Sequence, residues 1–494
     1  MKKFLSVLLA AVMALSMVAT ASASSLAGTY DITVWCASEI VDLTKTQIED
    51  FNKNNANGIV FNATVEAVSE ADAATNMTTD VTAGADIYCF AQDQFARLAQ
   101  SGALAKLGTG AAKFVTDNND KGSVESATLG DAIYAYPLTS DNGYFMYYDK
   151  SVISEENIDS LEALIAECEA KGKYFAFEMG TSAWYAASFF FGTGCVSEWD
   201  YENKEFTGVT DTFNSAQGLI AAKGMEKLVK SKAHLSSAEA SEFESNAAIV
   251  VTGTWGYKTA QGILGENMGI ADLPSFEVDG VNYHIGSFRG YKLLGVKPQD
   301  GDPVKQAALH QLAQYLTNEK CQLERFYQNS FGPSNLVAQQ NADVIAHPAL
   351  AALRAQLPYS VLQGQIHGSW WDIAKVIADD VKAATDEAGL QTALDNYANK
   401  ISSLFNMSSE QKNAFTVIGT VNGSSWNEDF AMMKNAEGKW LSAAYQMEAG
   451  TEFKVRQGLS WDVAYPASNF VVETAGTYVV QLDEATGEVT LIPQ

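Results

Sequence analysis

Apolar and polar positions alternate over Tyr30-Asp31-Ile32-Thr33-Val34-Trp35, which predicts a first strand running into Cys36-Ala37-Ser38-Glu39. Leu43, Ile48 and Phe51 then recur on one helical face, predicting a helix over about 43–54, and 60–65 reads as a second strand. The same strand-and-helix alternation continues, with strands at 174–177 and 283–296 and helices at 160–171, 181–191, 214–230, 303–316, 318–327, 370–385 and 390–404. One stretch organises the middle of the chain. From Ala247 to Val251 the residues are unbrokenly apolar, then come Thr252-Gly253 and Trp255, a helix-compatible segment, a small strand over 268–271 and a stop at Leu273-Pro274. A strand ending in glycine and an aromatic is how α/β folds build sites, because loops at the carboxyl ends of strands line the crevice. A buried strand followed by an ordinary core tryptophan fits this stretch equally well.

The pattern changes at Phe405–Asn413 (FNMSSEQKN). Beyond it the helical period gives way to short strands at 415–421, 438–447, 452–457, 470–472, 476–482 and 488–492, separated by Asn422-Gly423, Glu437-Gly438, Ala449-Gly450 and Thr486-Gly487. This predicts an antiparallel sandwich over 413–494, joined to the α/β part by a linker at 406–412.

Composition narrows the function classes. A formal net charge of −27 with no Lys/Arg cluster argues against nucleic acid and anionic lipid as partners. Only 18% of residues are charged and 47% are hydrophobic, which fits packed domains and not a disordered acidic tail. Residues 1–23 read as a secretory leader: Lys2 and Lys3, an apolar core from Phe4 to Val18, and Ala21-Ser22-Ala23 as the cleavage site. The five cysteines are scattered and odd in number, with no C-x-x-C, so they make neither a disulfide framework nor a zinc site. Cys36 and Cys89, both at expected strand ends, could approach each other. The five histidines show no metal-ligand spacing, and G-x-S-x-G, H-E-x-x-H and Walker motifs are missing.

Three segments carry a resemblance. Gly84-Ala85-Asp86-Ile87-Tyr88-Cys89-Phe90, leading through Asp93-Gln94-Phe95 to Leu98-Ala99-Gln100-Ser101-Gly102-Ala103-Leu104, is similar to a signature of the solute-binding proteins of bacterial ABC sugar importers, the maltose-binding group in particular. The stretch from the 247–251 run through Gly253-Thr254-Trp255 to Leu273-Pro274-Ser275-Phe276 resembles the same family. So does Tyr136–Lys150, which looks like its first crossover between lobes. The resemblance covers 29 to about 405. It implies a two-lobe periplasmic-binding-protein fold of type II, with lobe 1 at about 29–140 and 286–340 and lobe 2 at about 141–285 and 341–405. An immunoglobulin-like all-β sandwich would follow. That last segment, with F-T-V-I-G-T-V-x-G-S-S-W and F-K-V-R-x-x-x-S-W-D-x-x-Y, resembles small starch-binding modules of secreted amylases and pullulanases. Gram-positive relatives usually carry a lipid-anchoring cysteine after the leader's apolar core; none stands there in this chain.

The family pattern implies that Glu39, Phe90, Asp93 and Asp141 reach a sugar together with Trp184 or its neighbour Tyr185, Trp255 and Trp370 as ring platforms, the set being drawn from both lobes. Asp141 also fits a plain turn residue before Asn-Gly. Such a set suits pyranoses: aromatic faces meet apolar C–H faces, and carboxylates accept from vicinal hydroxyls. In the sandwich, Trp461, followed by Asp462, is the expected platform, Trp426 fits either surface or core, and Trp440 reads as core; Trp461 plugging the sandwich is the competing reading. The resemblance implies a monomeric, exported, non-catalytic protein with no cofactor. Its partners would be an oligosaccharide, foremost a maltodextrin, the permease subunits of an ABC importer, and polymeric starch at the sandwich. A glycoside hydrolase and a secreted capture or adhesion protein are the rival classes.

Overall fold

The alternating strand Gly28–Cys36 lies between two parallel partners, Ile59–Ala67 and Ile87–Ala91. All five residues of Ile87–Ala91 are buried, as expected of a parallel strand covered on both faces. Helix Val41–Asn54 lays Leu43, Ile48 and Phe51 on this sheet, with Phe51 against Phe61 at 5.7 Å between ring centroids. The long strand Ser287–Val296 completes the sheet, running antiparallel to both Ile87–Ala91 and Ala135–Gly143. These data come from a computed structural model describing residues 26–494, except 80, 203–204, 406–408, 425, 427, 436 and 461–462; the leader lies outside the described residues.

A second sheet is built around the apolar run, now strand Ala247–Thr252, in which every residue is buried. It is parallel to Tyr174–Ala176 and antiparallel to Phe145–Asp149, which pairs in turn with Met268–Ala271. Each sheet has its own aromatic-rich core, so the α/β part is two lobes. Three backbone segments run between the lobes: Ala135–Gly143 into Phe145–Asp149, the return through Ser287–Val296, and Ser360–Leu362, which pairs with the start of that return strand. The pairing of Ser287–Val296 with Ala135–Gly143 slips on both sides of Lys292. Such irregularities re-aim a side chain, and this one lies beside the interlobe cleft.

The C-terminal segment is all-antiparallel. Seven strands are hydrogen-bonded in one run, and Asp429–Lys434 belongs to both halves of it. The halves close over a shared core of Phe415, Val417, Phe453, Val455, Val480 and Leu482. This fits the expected sandwich class.

Several local expectations need correction. The strand Asp429–Lys434 was not legible, because its Met432-Met433-Lys434 end lacks β-branched residues. The helix expected at 181–191 is two short pieces, Ala183–Ala186 and Ser188–Gly192, and that at 370–385 is Gly368–Ala374 and Ile377–Ala383. Part of the expected linker is a short helix, Ser409–Asn413. Cys36 and Cys89 are both buried and free, as are the other three cysteines.

Candidate functional site

A cavity of about 590 Å³ lies between the lobes, beside the crossing segments. One wall is polar. Glu39, Glu70 and Asp93 follow the carboxyl ends of the three parallel strands of the first sheet, so the fold delivers three carboxylates to one edge. Arg97 follows on the next helical turn. The facing wall is aromatic: Trp184 stands at the mouth of helix Ala183–Ala186, and Trp371 on helix Gly368–Ala374. Trp255 joins the two. It leaves the central strand of lobe 2, yet its ring packs on the core of lobe 1 and lies 6.1 Å from that of Trp184. Gly253 is required here, since a Cβ at that position would come 2.1 Å from the Trp255 ring.

Gln363, on the third interlobe segment, ties the walls together. Its Nε2 donates to Asp93 Oδ1 at 2.9 Å, and its Oε1 accepts from Trp184 Nε1 and Asn142 Nδ2, each at 3.1 Å. The side chain therefore engages groups on both walls that are suited to bonding a polyhydroxylated guest.

Lys292 is buried at the cleft edge, 3.4 Å from Glu70 and over the rings of Trp255 and Phe331 at 5.2 and 5.1 Å. Burial works against its charge, but Glu70, Asp141 and Glu39 outweigh burial and hold its pKa above the ordinary lysine range. Asp93 is the opposite case. Burial pushes its carboxyl up to about 7, against the smaller opposing pull of its own backbone hydrogen bond and of Arg97.

The family model for the bacterial extracellular solute-binding protein matches residues 46–352, well over half the chain. The chain belongs to that family. A structure solved with acarbose is 27% identical, covering 76% of this chain and 100% of that one at a TM-score of 0.66. The maltodextrin-binding protein MalE1 from L. casei BL23, without ligand, is 23% identical, with coverage of 76% and 99% and a TM-score of 0.63. The GacH receptor of Streptomyces glaucescens GLA.O, solved unliganded and with acarbose, is 18% identical, with coverage of 76% and 98% and a TM-score of 0.63. The last two likenesses establish the fold alone. No curated protein matches the chain. Among the described residues no helix is long and apolar enough to cross a membrane.

In this solute-binding protein Glu39, Asp93, Trp184 and Trp255 line the cleft. Four other expected residues do not. Phe90 is wholly enclosed in the lobe 1 core, its ring 5.8 Å from Tyr88, because inward and outward positions alternate along its strand and Ala91 takes the cleft side. Tyr185 is buried in lobe 2 between Tyr144 and Phe177, one position round the helix from Trp184. Trp370 is likewise fully buried, its Nε1 donating to Tyr397 Oη at 2.9 Å, and the adjacent Trp371 takes the cleft position. Asp141 is buried on the far side of the crossing segments. It accepts from Thr254 Oγ1 at 2.5 Å and the Gly332 amide at 2.6 Å, so it locks the crossing strand and is neither a simple turn residue nor a cleft residue. Trp461 and Asp462 lie outside the described residues. Trp426 is half-buried with positive φ, and its carbonyl accepts from Lys375 Nζ at 3.2 Å, at the junction with lobe 2.

Sequence reasoning missed Glu70, Arg97, Asn142, Lys292, Gln363 and Trp371. A lysine inside an otherwise apolar strand (Lys292 before Leu293-Leu294) was the available signal for one of them. Gln363 had none.

Proposed function

We propose that this protein captures an α-glucan oligosaccharide of the maltodextrin type in the interlobe cleft and hands it, chemically unchanged, to the permease of an ABC importer. One observation carries the reading: tryptophans 184 and 371 face a wall of carboxylates across a cavity large enough for several sugar rings. Ring faces hold the apolar side of each pyranose, while Glu39, Glu70 and Asp93 accept from its hydroxyls. Kinship with an acarbose-bound structure at 27% identity supports the α-glucan class. Export by the leader, a monomeric state and the sites named above belong to the same proposal, as do lobe limits near residues 140, 286 and 341. Attachment of residues 413–494 to polymeric starch is a separable part, supported by the motif resemblance alone.

Calorimetry with maltose, maltotriose, maltotetraose, cellobiose and xylobiose tests the reading. Maltodextrins should bind and raise the unfolding temperature, a ligand at a hundredfold over its Kd adding about 2.7 kcal/mol. Chromatography after long incubation should return maltotetraose intact. Steady release of glucose or maltose would replace this reading with a hydrolase. Binding of the β-linked sugars alone would overturn the α-glucan class.

A further inference from the structure

The C-terminal sandwich is seated across the cleft mouth on both lobes. Helix Gly368–Ala374 turns one face to it. Ser369 Oγ donates to the Leu459 carbonyl at 2.6 Å, Asp372 Oδ2 pairs with Arg456 Nη1 at 2.8 Å, and Lys375, just past the helix, donates to the Trp426 carbonyl. These three positions are spaced by three, so they share a side, while Trp370 and Ala374 of the same helix point into the lobe core. On lobe 1, strand Ala464–Val471 packs against helix Ala73–Thr79. Lys454, nearly enclosed, and Asp72 at the cleft edge each feel the other's charge.

Arg456 is the hub of the lobe 2 contact. It is 4% exposed, holds Asp429 of its own sandwich through Nε at 2.9 Å and Nη2 at 2.6 Å, and spends its remaining Nη1 on Asp372. Asp372 Oδ1 in turn holds Lys375 Nζ at 2.9 Å. Trp426 and Leu459, which offer carbonyls to the lobe, both have left-handed backbone conformations with large side chains, at φ 64° and 58°. Backbone strain of this kind persists where the surrounding structure enforces it, and it concentrates at working sites.

We infer that the sandwich is a working part of the cleft and that Arg456 is a positioning residue: through Asp372 it fixes helix Gly368–Ala374 and hence the Trp371 wall. The inference rests on the proposed sugar site for its ligand readout but not for its structural one. A bidentate grip on one carboxylate with a third donor left for another suits a guanidinium and no other side chain.

The test uses the full chain with maltotetraose as probe. Arg456→Met should weaken binding about tenfold, within the range of coupling for contacting charged groups. Arg456→Lys should restore part of that loss. The double variant Arg456→Met/Asp372→Asn should bind no worse than Asp372→Asn alone, because the effect passes through Asp372. Hydrogen exchange without sugar should quicken in Gly368–Ala374 of Arg456→Met. If Arg456→Met does not fold, Ser369→Ala, which cuts only the Leu459 contact, should show the same faster exchange and a smaller loss of affinity. Folded variants that bind and exchange like wild type would reduce the sandwich to a passenger and overturn the inference. Faster exchange in a protein that binds no α-glucan would keep the positioning role and sink the sugar assignment instead.

Discussion

The two walls of the cleft are made of different chemistry. Lobe 1 supplies charge: Glu39, Glu70, Asp93, Arg97 and Lys292, most of them at the carboxyl ends of parallel strands. Lobe 2 supplies the rings, Trp184 and Trp371, from short helices that also send Tyr185 and Trp370 into its core, and its charge there is the Asp372–Lys375 pair at the edge. The strand ends explain the first wall, since a parallel sheet exposes all its carboxyl-end loops on one edge. The second wall depends on helical phase, where a shift of one residue turns a ring from the cleft to the interior. A sugar needs both, faces for its C–H surface and acceptors for its hydroxyls, so under the proposed function the two unlike walls would read the ligand from both sides.

The sharpest way to break the polar wall is at Lys292. Lys292→Met removes one member of a buried pair and leaves Glu70 uncompensated, so it should cost about 3–5 kcal/mol of stability in urea unfolding. Lys292→Met/Glu70→Gln should recover most of that. A loss under about 1 kcal/mol in the single variant would mean that water reaches Glu70 freely and that the wall is not a paired one.

The aromatic wall is best probed by its adjacent tryptophans. Trp370→Ala should lower stability by about 3–5 kcal/mol, because it empties a fully buried site and removes the indole N–H that Tyr397 Oη accepts, leaving that hydroxyl only its donation to Asp211. Trp371→Ala should leave the fold close to wild type and weaken oligosaccharide binding by about 2 kcal/mol or more, as for anchoring rings in binding sites. Equal stability losses in the two variants would place Trp371 in the core and leave Trp184 to carry the wall.

Lobe architecture was legible because parallel strands announce themselves. The run Ala247–Val251 is too apolar to be anything but central, and the 84–104 signature delivered Asp93 with its strand. Of the expected residues that line the cleft, Glu39, Asp93 and Trp255 sit just past such strands, and Trp184 stands at a helix mouth. Phe90 shows the limit: period two put its neighbour Ala91 on the cleft side, and motif matching has no register finer than a residue. In helices, where two adjacent rings differ in direction by about 100°, the same limit left Tyr185 as a rival to Trp184 and put Trp370 where Trp371 stands. Gln363 was hidden for another reason. Its role arises from chain segments meeting at the crossing, which no local pattern encodes, while Lys292 left a local signal in its apolar strand that was not read.

The gentlest perturbation is of Asp93, and it separates the charge of the polar wall from its shape. The carboxyl has a pKa of about 7 in the folded protein, raised from 3.8 by burial, so the folded state binds a proton that the unfolded state releases. A raised pKa contributes stability that is fully present below about pH 4 and is lost as pH rises through about 7. Within that window the slope should be about −1.4 kcal/mol per pH unit from this one group. Asp93→Asn keeps the size of the side chain and an acceptor oxygen for Gln363 Nε2 but cannot ionise. Its urea stability relative to wild type should therefore rise as pH moves from 5 to 7 and level off above that. If the two proteins keep a constant difference from pH 4 to 8, water enters the cleft far enough to solvate Asp93, and this edge of the polar wall stands open in the unliganded protein.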